Sequence, residues 1–301
     1  MKGKKTTTRE KHLTTIILEH ASNVAAEIKA KALLVNVQNR DDYKAISDQV
    51  KKLKPVVVVR NEELFHELSE QDVTKLLKVP DVTLTRMGQV KLAIMYALSS
   101  DFISPGDKIV CITGVSRFGA DDTLVVVDTD REFEIFSSDA VIDADSVVRP
   151  DIFETVLNLA IELATQGREG KAVGTIFVIG DDERVLQLSR QLVINPFKGY
   201  SEQELSIHDA QLRETIKEFS VIDGAFVIRG DGVLVTAGRH LNAALEGGDL
   251  PQGLGSRHVA AAGITSLTDA IAIVISESTG SVRIFKEGRV FMEIERPSSK
   301  S

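Results

Sequence analysis

Short apolar runs alternate with amphipathic stretches along the whole chain, a pattern typical of α/β proteins. In the first half, runs rich in β-branched residues predict strands at 33–37, 56–59, 82–85, 108–113 and 123–127. Helical periodicity between them predicts helices at about 9–30, 43–53, 62–77 and 90–98. Because β-branched runs of this kind are usually buried on both faces, we expect parallel strands in this half.

The second half contains the same kinds of element in another order. Helices are predicted from Asp151 to Gly167, from Gly180 to about Val193, at about 209–219 and after Gly255. Strands are predicted at 173–179, 226–229, 233–236, 270–276, 282–285 and 290–294. A carboxylate-rich passage at 139–150 separates the two halves. We therefore predict two domains, residues 1–147 and 148–301, each long enough for its own core.

Composition narrows the class of protein. A hydrophobic content of 43% with 27% charged residues indicates a folded chain, and the longest apolar run, 270–275, is too short to cross a membrane. The net charge of −8 and the 5% aromatic content argue against a DNA-binding surface. The polar, basic opening residues predict no signal peptide. The lone Cys111 excludes an intrachain disulfide and favours a reducing cytoplasm.

An Asp-Gly-Ala triplet, Asp223 to Ala225, directly precedes a predicted strand. This position places the Asp223 carboxylate near a sheet edge, and Gly224 allows backbone to approach a ligand closely. The alternative is a simple Asp-Gly turn of the kind that we predict for the hairpin at Asp231-Gly232.

The sequence Gly255-Ser-Arg-His258 predicts a helix start with Ser256 as the N-cap. Backbone N–H groups and the helix dipole attract phosphate there, and Arg257 adds a two-pronged partner for phosphate oxygens. The alternative is an ordinary capped helix with an exposed Arg and His. The hydroxyl-rich turn 276–280 either faces the same ligand or is only a hairpin connection.

One further glycine pattern lacks the chemistry of its motif. Gly114 and Gly119 have the spacing of a phosphate-binding P-loop, but Ala120 and Asp121 stand where Lys and Ser or Thr are required. A different use of this loop stays open, in which the first half is a metabolite-binding regulatory domain.

Taken together, residues 148–294 resemble the catalytic domain of diadenylate cyclases, which joins two ATP molecules into cyclic di-AMP. The resemblance rests on the Asp-Gly-Ala triplet, the helix start followed by alanines, and the passage from Thr268 to Gly280. The first half, through 107–114 and the loop after it, looks like the C-terminal α/β domain of pyruvate kinase. The whole is similar to the soluble archaeal type of the family, without membrane helices or a DNA-binding module.

The resemblance implies a fold, a set of partners and a set of site residues. The fold is a pyruvate-kinase-C-terminal-like α/β domain for oligomerisation or regulation, followed by a mixed-sheet α/β cyclase domain. The implied substrate is ATP, and the implied metal is Mn²⁺ or Mg²⁺. The implied assembly is a cytoplasmic homo-oligomer in which catalytic domains face each other. Asp223, Arg257 and His258 are the implied catalytic residues, with Asp223 also a metal ligand. The implied ATP contacts are Gly224, Ala225, Leu241, Gly255, Ser256, Arg257, His258, Val259, Ala260, Ser276, Glu277, Ser278 and Thr279.

Two positions depart from the family pattern. Val259 replaces the second arginine of the usual Arg-His-Arg sequence, so one phosphate contact is absent or comes from Arg239, Arg283 or a partner subunit. Ile222 stands where some relatives have a metal-binding histidine. These departures leave an alternative function open, a non-catalytic adenine-nucleotide sensor. Leu241, expected in a loop after 236–238, takes the place of a residue that contacts adenine.

Overall fold

The structure is a computed structural model that describes residues 8–50, 55–71, 73, 75–114, 121–129, 147–242 and 255–295. The chain forms two compact units, Met1–Ala140 and Val141–Ser301. Both are mixed α/β units with a single sheet each in the described ranges. The acidic passage in which we predicted the boundary lies largely outside the described residues.

The first unit is a five-stranded sheet with helices packed on it. Its helices are α1 (Thr8–Glu27), α2 (Arg40–Gln49), α3 (Glu62–Ser69) and α4 (Arg86–Ser99). Its strands are β1 (Ala32–Asn36), β2 (Val56–Val59), β3 (Leu76–Lys78), β4 (Lys108–Thr113) and β5 (Thr123–Asp128). The strand order is β3-β2-β1-β4-β5, with β5 antiparallel to β4 and the other pairs parallel.

Alternate residues of the central strands build the core of this unit. Val35 of β1, Val57 of β2 and Val110 of β4 belong to one buried cluster, together with Leu18 of α1 and Leu68 of α3. Successive strand residues face opposite sides of a sheet, so this cluster covers one face. The β-branched runs therefore fold as the sequence predicted.

Two element predictions in this unit are wrong. The helix predicted at 62–77 ends at Ser69, and the chain then adds the edge strand β3. The predicted strand 82–85 does not form, because the Thr85 side chain accepts a hydrogen bond from the Gly88 backbone N–H at 3.0 Å and caps α4 instead. The helix consequently begins at Arg86.

The second unit is a seven-stranded sheet of mixed direction. Its helices are α5 (Pro150–Gln166), α6 (Asp182–Gln187), α7 (Ala210–Phe219) and α8 (Ser256–Leu267). Its strands are β6 (Ile176–Ile179), β7 (Ser189–Gln191), β8 (Ala225–Ile228), β9 (Leu234–Leu241), β10 (Ile271–Ile275), β11 (Val282–Lys286) and β12 (Arg289–Ile294). The order is β12-β11-β10-β6-β8-β9-β7, in which β6 and β8 are parallel and the other pairs are antiparallel.

Helix α8 packs on one face of this sheet. Its Ala261 and Ile264 belong to a buried cluster with Val178, Val227 and Val274 from the three central strands. The opposite face carries aromatic side chains, where the rings of Phe177 and Phe226 lie 5.2 Å apart. This packing fixes the position of α8 on the sheet.

The region after β6 corrects two predictions. The helix expected to reach Val193 ends at Gln187, and Ser189–Gln191 pairs antiparallel with β9. The hairpin at Asp231-Gly232 is confirmed, since β8 and β9 are antiparallel neighbours across it. Strand β9 runs on to Leu241, however, so this leucine lies in a strand and not in a loop.

Candidate active site

A cavity of about 520 Å³ opens in the second unit beside the start of α8. Three separate parts of the chain meet there, namely the turn after α5, the approach to β8 and the loop after β10. The residues that carry its chemistry are Arg168, Lys171, Gly174, Asp223, Arg257 and Glu277. Asp223, Arg257 and Glu277 come from the three motifs identified in the sequence.

Arg257 joins the other two motif residues. Its Nη1 lies 3.1 Å from a carboxylate oxygen of Glu277, and its Nη2 lies 4.0 Å from one of Asp223. The Asp223 side chain is 87% exposed, so its carboxylate is open to an incoming ligand. A cation held between two carboxylates at a cavity mouth is well placed to exchange one of them for phosphate.

Gly174 is required for this arrangement. A Cβ added there would lie 2.7 Å from Nη1 of Arg257 and 2.8 Å from Cβ of Glu277. Any side chain at this position would therefore displace the arginine, the glutamate or both. The local sequence around this glycine contains no motif that predicts such a role.

The start of α8 differs in one detail from the prediction. Gly255 is the N-cap, and its carbonyl accepts from the backbone N–H of His258 at 3.0 Å. Ser256, predicted as the cap, is the first helical residue and is exposed. No side chain accepts a hydrogen bond as the cap of this helix, so no capping group competes with a phosphate for the start of α8 and its dipole.

His258 lies on the buried side of α8, 5% exposed, and is not among the residues that line the cavity. Its Nε2 lies 2.9 Å from Nη1 of Arg283, whose Nη2 lies 2.6 Å from Glu293. A guanidinium can only donate, so Nε2 accepts and the ring proton lies on Nδ1. Burial, and then the positive charge of Arg283, lowers the pKa of His258. The histidine is therefore neutral near pH 7.

The Asp-Gly-Ala triplet is shaped by its neighbouring strand. Gly224 has a φ of +106°, and a Cβ there would lie only 2.5 Å from the carbonyl carbon of Gly238. The close backbone approach predicted at Gly224 is thus made to β9, where the register of β8 and β9 shifts. Ala225 is fully buried in β8. The irregularity leaves Asp223 free of the sheet and facing the cavity.

The hydroxyl-rich turn connects two antiparallel strands, so the hairpin prediction is confirmed. Ser276 is 6% exposed, and its Oγ lies 3.3 Å from Oγ of Ser278. Thr279 Oγ1 lies 2.8 Å from Oγ of Ser281. The hydroxyls thus hold the turn together, while Glu277 lines the cavity.

The remaining predicted ATP contacts are dispersed. Leu241 is 6% exposed and belongs to the cluster beneath α8, which contradicts its expected place in a loop. Val259 is 41% exposed on the first turn of α8, and Ala260 is half-buried. The Arg239 guanidinium donates to the carbonyls of Leu186 and Ser189 at 2.7 and 2.8 Å. Neither Arg239 nor Arg283 lines the cavity.

Sequence reasoning missed one wall of the cavity. The turn 167–171 presents Arg168 and Lys171, and its hydrogen bonds join their backbones at 2.8 and 2.9 Å. Arg168 also donates from Nε to Glu218 at 2.9 Å. Two cations between glycines were the available signal, but the glycines were interpreted only as a helix stop.

The charges around the cavity nearly cancel. Three cationic side chains, Arg168, Lys171 and Arg257, stand against four carboxylates, Glu169, Glu218, Asp223 and Glu277. The difference is one negative charge. Within the described ranges no group of three or more His, Cys, Asp or Glu is arranged to hold a metal ion. A divalent ion at Asp223 would need oxygen ligands from a bound phosphate chain, which is the way Mg²⁺ is often held.

Each of the two units matches a family model of known proteins. Residues 162–290 match the family model described as DisA bacterial checkpoint controller nucleotide-binding, and residues 13–136 match one described as a probable sensor domain. The chain is 31% identical to the diadenylate cyclase of Methanocaldococcus jannaschii over 300 residues, which covers 93% of this chain and 96% of that one. It is 36% identical to the diadenylate cyclase of Haloferax volcanii, over 77% of this chain and 88% of that one.

These matches cover both units of the chain at once. The chain belongs to the diadenylate cyclase family. In the part that the structure describes, no helix is both long and apolar enough to span a bilayer. The expected likeness of the first unit to pyruvate kinase stays a prediction.

Proposed function

We propose that the protein condenses two ATP molecules into cyclic di-AMP and releases two pyrophosphates. The observation that carries this proposal is the position of Arg257, held between Asp223 and Glu277 at a cavity of about 520 Å³ in a chain of this family. The activity makes the protein a nucleotidyltransferase. Three motifs that are far apart in the sequence meet at the guanidinium of Arg257. An ordinary capped helix would not require such a meeting.

The reaction is attack of each ribose 3′-oxygen on the α-phosphorus of the facing ATP. A P–O bond to the 3′-oxygen forms, the bond to pyrophosphate breaks, and the hydroxyl proton passes to solvent. Catalysis of this kind depends on positioning and on stabilising charge. The Arg257 fork binds triphosphate oxygens after exchanging Glu277 for phosphate, and the first turn of α8 adds its dipole.

Asp223 is the proposed protein ligand of Mg²⁺ or Mn²⁺. Its exposed carboxylate is a hard oxygen donor at the cavity, which fits both ions. When bound, such an ion neutralises the phosphate charge that the lining, with its excess of one carboxylate, cannot neutralise. The structure favours neither metal.

The proposal divides the other site residues by their placement. Ser256, Ser278 and Thr279 are exposed and are proposed to meet the phosphates directly. His258 and Leu241 are buried, and we assign them the support of α8 and β9. Val259 presents an exposed apolar surface where the family pattern has an arginine.

Closing the ring of cyclic di-AMP requires two facing sites, because each ATP is both nucleophile and target. A homo-oligomer with catalytic units mouth to mouth therefore follows from the chemistry. The first unit is proposed to support oligomerisation or regulation. The buried Cys111 thiol is compatible with the proposed cytoplasmic location.

The test is a product assay on purified protein with ATP and either metal. The wild type is expected to form cyclic di-AMP, and Asp223→Asn is expected to form none while remaining folded. Glu183→Gln, an exposed carboxylate of α6 that does not line the cavity, is the matched control and should retain full activity. ATP that binds to the wild type but stays unchanged would instead support the alternative, a nucleotide sensor.

A further inference from the structure

A second cavity, of about 190 Å³, lies in the first unit at the carboxyl ends of its parallel strands. Asn36 is the last residue of β1, Arg60 follows β2, and Gly114 follows β4, and all three line the cavity. Because these strands run in the same direction, their carboxyl ends meet at one edge of the sheet.

The topology singles out this edge. From β1 the chain continues to β2 on one side, whereas β4 flanks β1 on the other, so the strand order reverses between β1 and β4. In open α/β sheets a crevice forms outside the carboxyl ends of the strands at such a point, and ligands bind there. The cavity lies where this rule places a binding site.

The wall at the end of β4 is held by a buried amide. Gln89 of α4 is 6% exposed and donates from Nε2 to the Gly114 carbonyl at 3.1 Å and to the Leu84 carbonyl at 3.3 Å. Its Oε1 accepts from the hydroxyl of Thr113 at 3.0 Å. The cavity is therefore built into the fold, since its wall is fixed by hydrogen bonds of buried groups.

Charges of both signs line this small volume. Arg60 lies at the end of β2, with the carboxylates of Asp81 and Asp121 as further lining groups. Burial lowers the pKa of Arg60, while the negative charges of Asp81 and Asp121 act in the opposite direction. Asp121 is only 8% exposed, whereas Asp81 is exposed.

We propose that this cavity binds a small zwitterion of the α-amino-acid class, with its carboxylate on Arg60 and its ammonium group on Asp81 and Asp121. An α-amino acid carries its ammonium group and its carboxylate on the same carbon, so it brings both charges into one small cavity lined by Arg60, Asp81 and Asp121. The inference goes beyond the cyclase reaction and involves none of its residues.

Other small ligands fit this lining less well. The Asp81 carboxylate beside the arginine, joined by Asp121 above about pH 7, repels a phosphate or another simple anion. A metal ion finds no group of three or more His, Cys, Asp or Glu to hold it in the described residues. The volume lies below the roughly 300–1,000 Å³ of typical sites for larger organic ligands, so a dinucleotide does not fit.

The test is calorimetric titration of the full-length protein with each protein amino acid in turn. In the anion arm of the experiment inorganic phosphate is titrated, and in the cation arm putrescine is titrated. We expect at least one amino acid to bind with millimolar or better affinity, and both arms to give no heat of binding. Asp81→Asn and Arg60→Met should each weaken that binding at least tenfold.

Asp101→Asn is the matched control, because Asp101 belongs to the same unit but does not line the cavity. It has a φ of +54°, which asparagine tolerates, and it should leave the affinity unchanged. Asp81 is exposed, so its variant keeps the test decisive even if Arg60→Met fails to fold. The proposal is overturned if no amino acid binds, if phosphate or putrescine binds instead, or if Asp81→Asn binds the amino acid as well as the wild type does.

Discussion

Arg283 of β11 holds His258 of α8 through a contact of 2.9 Å between Nη1 and Nε2. The arginine is itself anchored to Glu293 on the neighbouring strand, at 2.6 Å. His258, which follows Arg257 in the family pattern, is thus held in place by an ion pair between two strands of the sheet. The relationship gives Arg283 a positioning role and removes it as a source of the missing phosphate contact.

Replacing Arg283 tests this role. We expect Arg283→Met to lower the turnover number about tenfold, with a smaller change in KM, because His258 and the first turn of α8 lose their support. The nitrogen NMR signals of the His258 ring should show the Nδ1–H tautomer in the wild type and a mixture in the variant. An unchanged tautomer in a folded Arg283→Met protein would contradict the assignment.

A methyl group at position 174 should damage the site without unfolding the protein. Gly174→Ala places its Cβ 2.7 Å from Nη1 of Arg257, so we expect ATP affinity to fall about tenfold. Gly170→Asn is the control, since a Cβ there meets nothing within 4 Å and asparagine tolerates its φ of +75°. Titration calorimetry with ATP and Mn²⁺ measures both. Equal losses in the two variants would point to a general effect of the turn.

The Glu277 carboxylate competes with phosphate for Arg257. Glu277→Gln weakens the 3.1 Å contact and removes one negative charge from the cavity. An exposed ion pair of this kind contributes about 0.2–1 kcal/mol, so metal-free ATP affinity should rise by roughly 1.4- to 5-fold. ATP titration in the presence of a chelator measures the change. A weaker affinity would show that Glu277 assists binding instead of opposing it.

Asp121 gives the first unit a characteristic pH dependence. Burial, and then the negative charge of Asp42, raises the pKa of Asp121 to about 7, while Arg60 opposes the shift and Asp122 adds to it. In the unfolded chain this carboxyl ionises near pH 4, so the folded state binds an extra proton between these values. Stability is therefore lost as the pH rises from about 4 to 7, and it levels off above that range.

Asp121→Asn should flatten this dependence. Denaturant unfolding of the wild type and the variant at pH 5, 6, 7 and 8, without amino acids, makes the comparison. The wild-type midpoint is expected to fall with rising pH by more than that of the variant. Parallel curves would show that Asp121 ionises normally in the folded protein.

The sequence predicted elements whose pattern is local. The β-branched runs of β1, β2, β4 and β5 and the hairpin at Asp231-Gly232 are determined by their own residues and turn chemistry. Strand β7 was missed because its residues continue a helical pattern, and only pairing with β9 makes it a strand. Strand β3 was likewise absorbed into a helix, although it pairs with β2. Such pairings depend on tertiary contacts that a local pattern does not contain.

The residues of the site divide in the same way, into those that a local motif reveals and those that it does not. Asp223, Arg257 and Glu277 could be identified because each lies in a motif, and they meet at one cavity. Gly174 and the turn with Arg168 could not, since their importance depends on distances to residues over 40 positions away along the chain. Leu241 was placed wrongly because its pairing with Ser189 of β7 extends strand β9 through it.

The ratio of products tests the central claim most directly. Purified protein, ATP and Mn²⁺ are incubated, and cyclic di-AMP and pyrophosphate are quantified separately as ATP is consumed. Two facing sites that each donate one ATP predict two pyrophosphates for every cyclic di-AMP, with no linear dinucleotide left at completion. Pyrophosphate formed without cyclic di-AMP, or ATP recovered intact, would contradict the account.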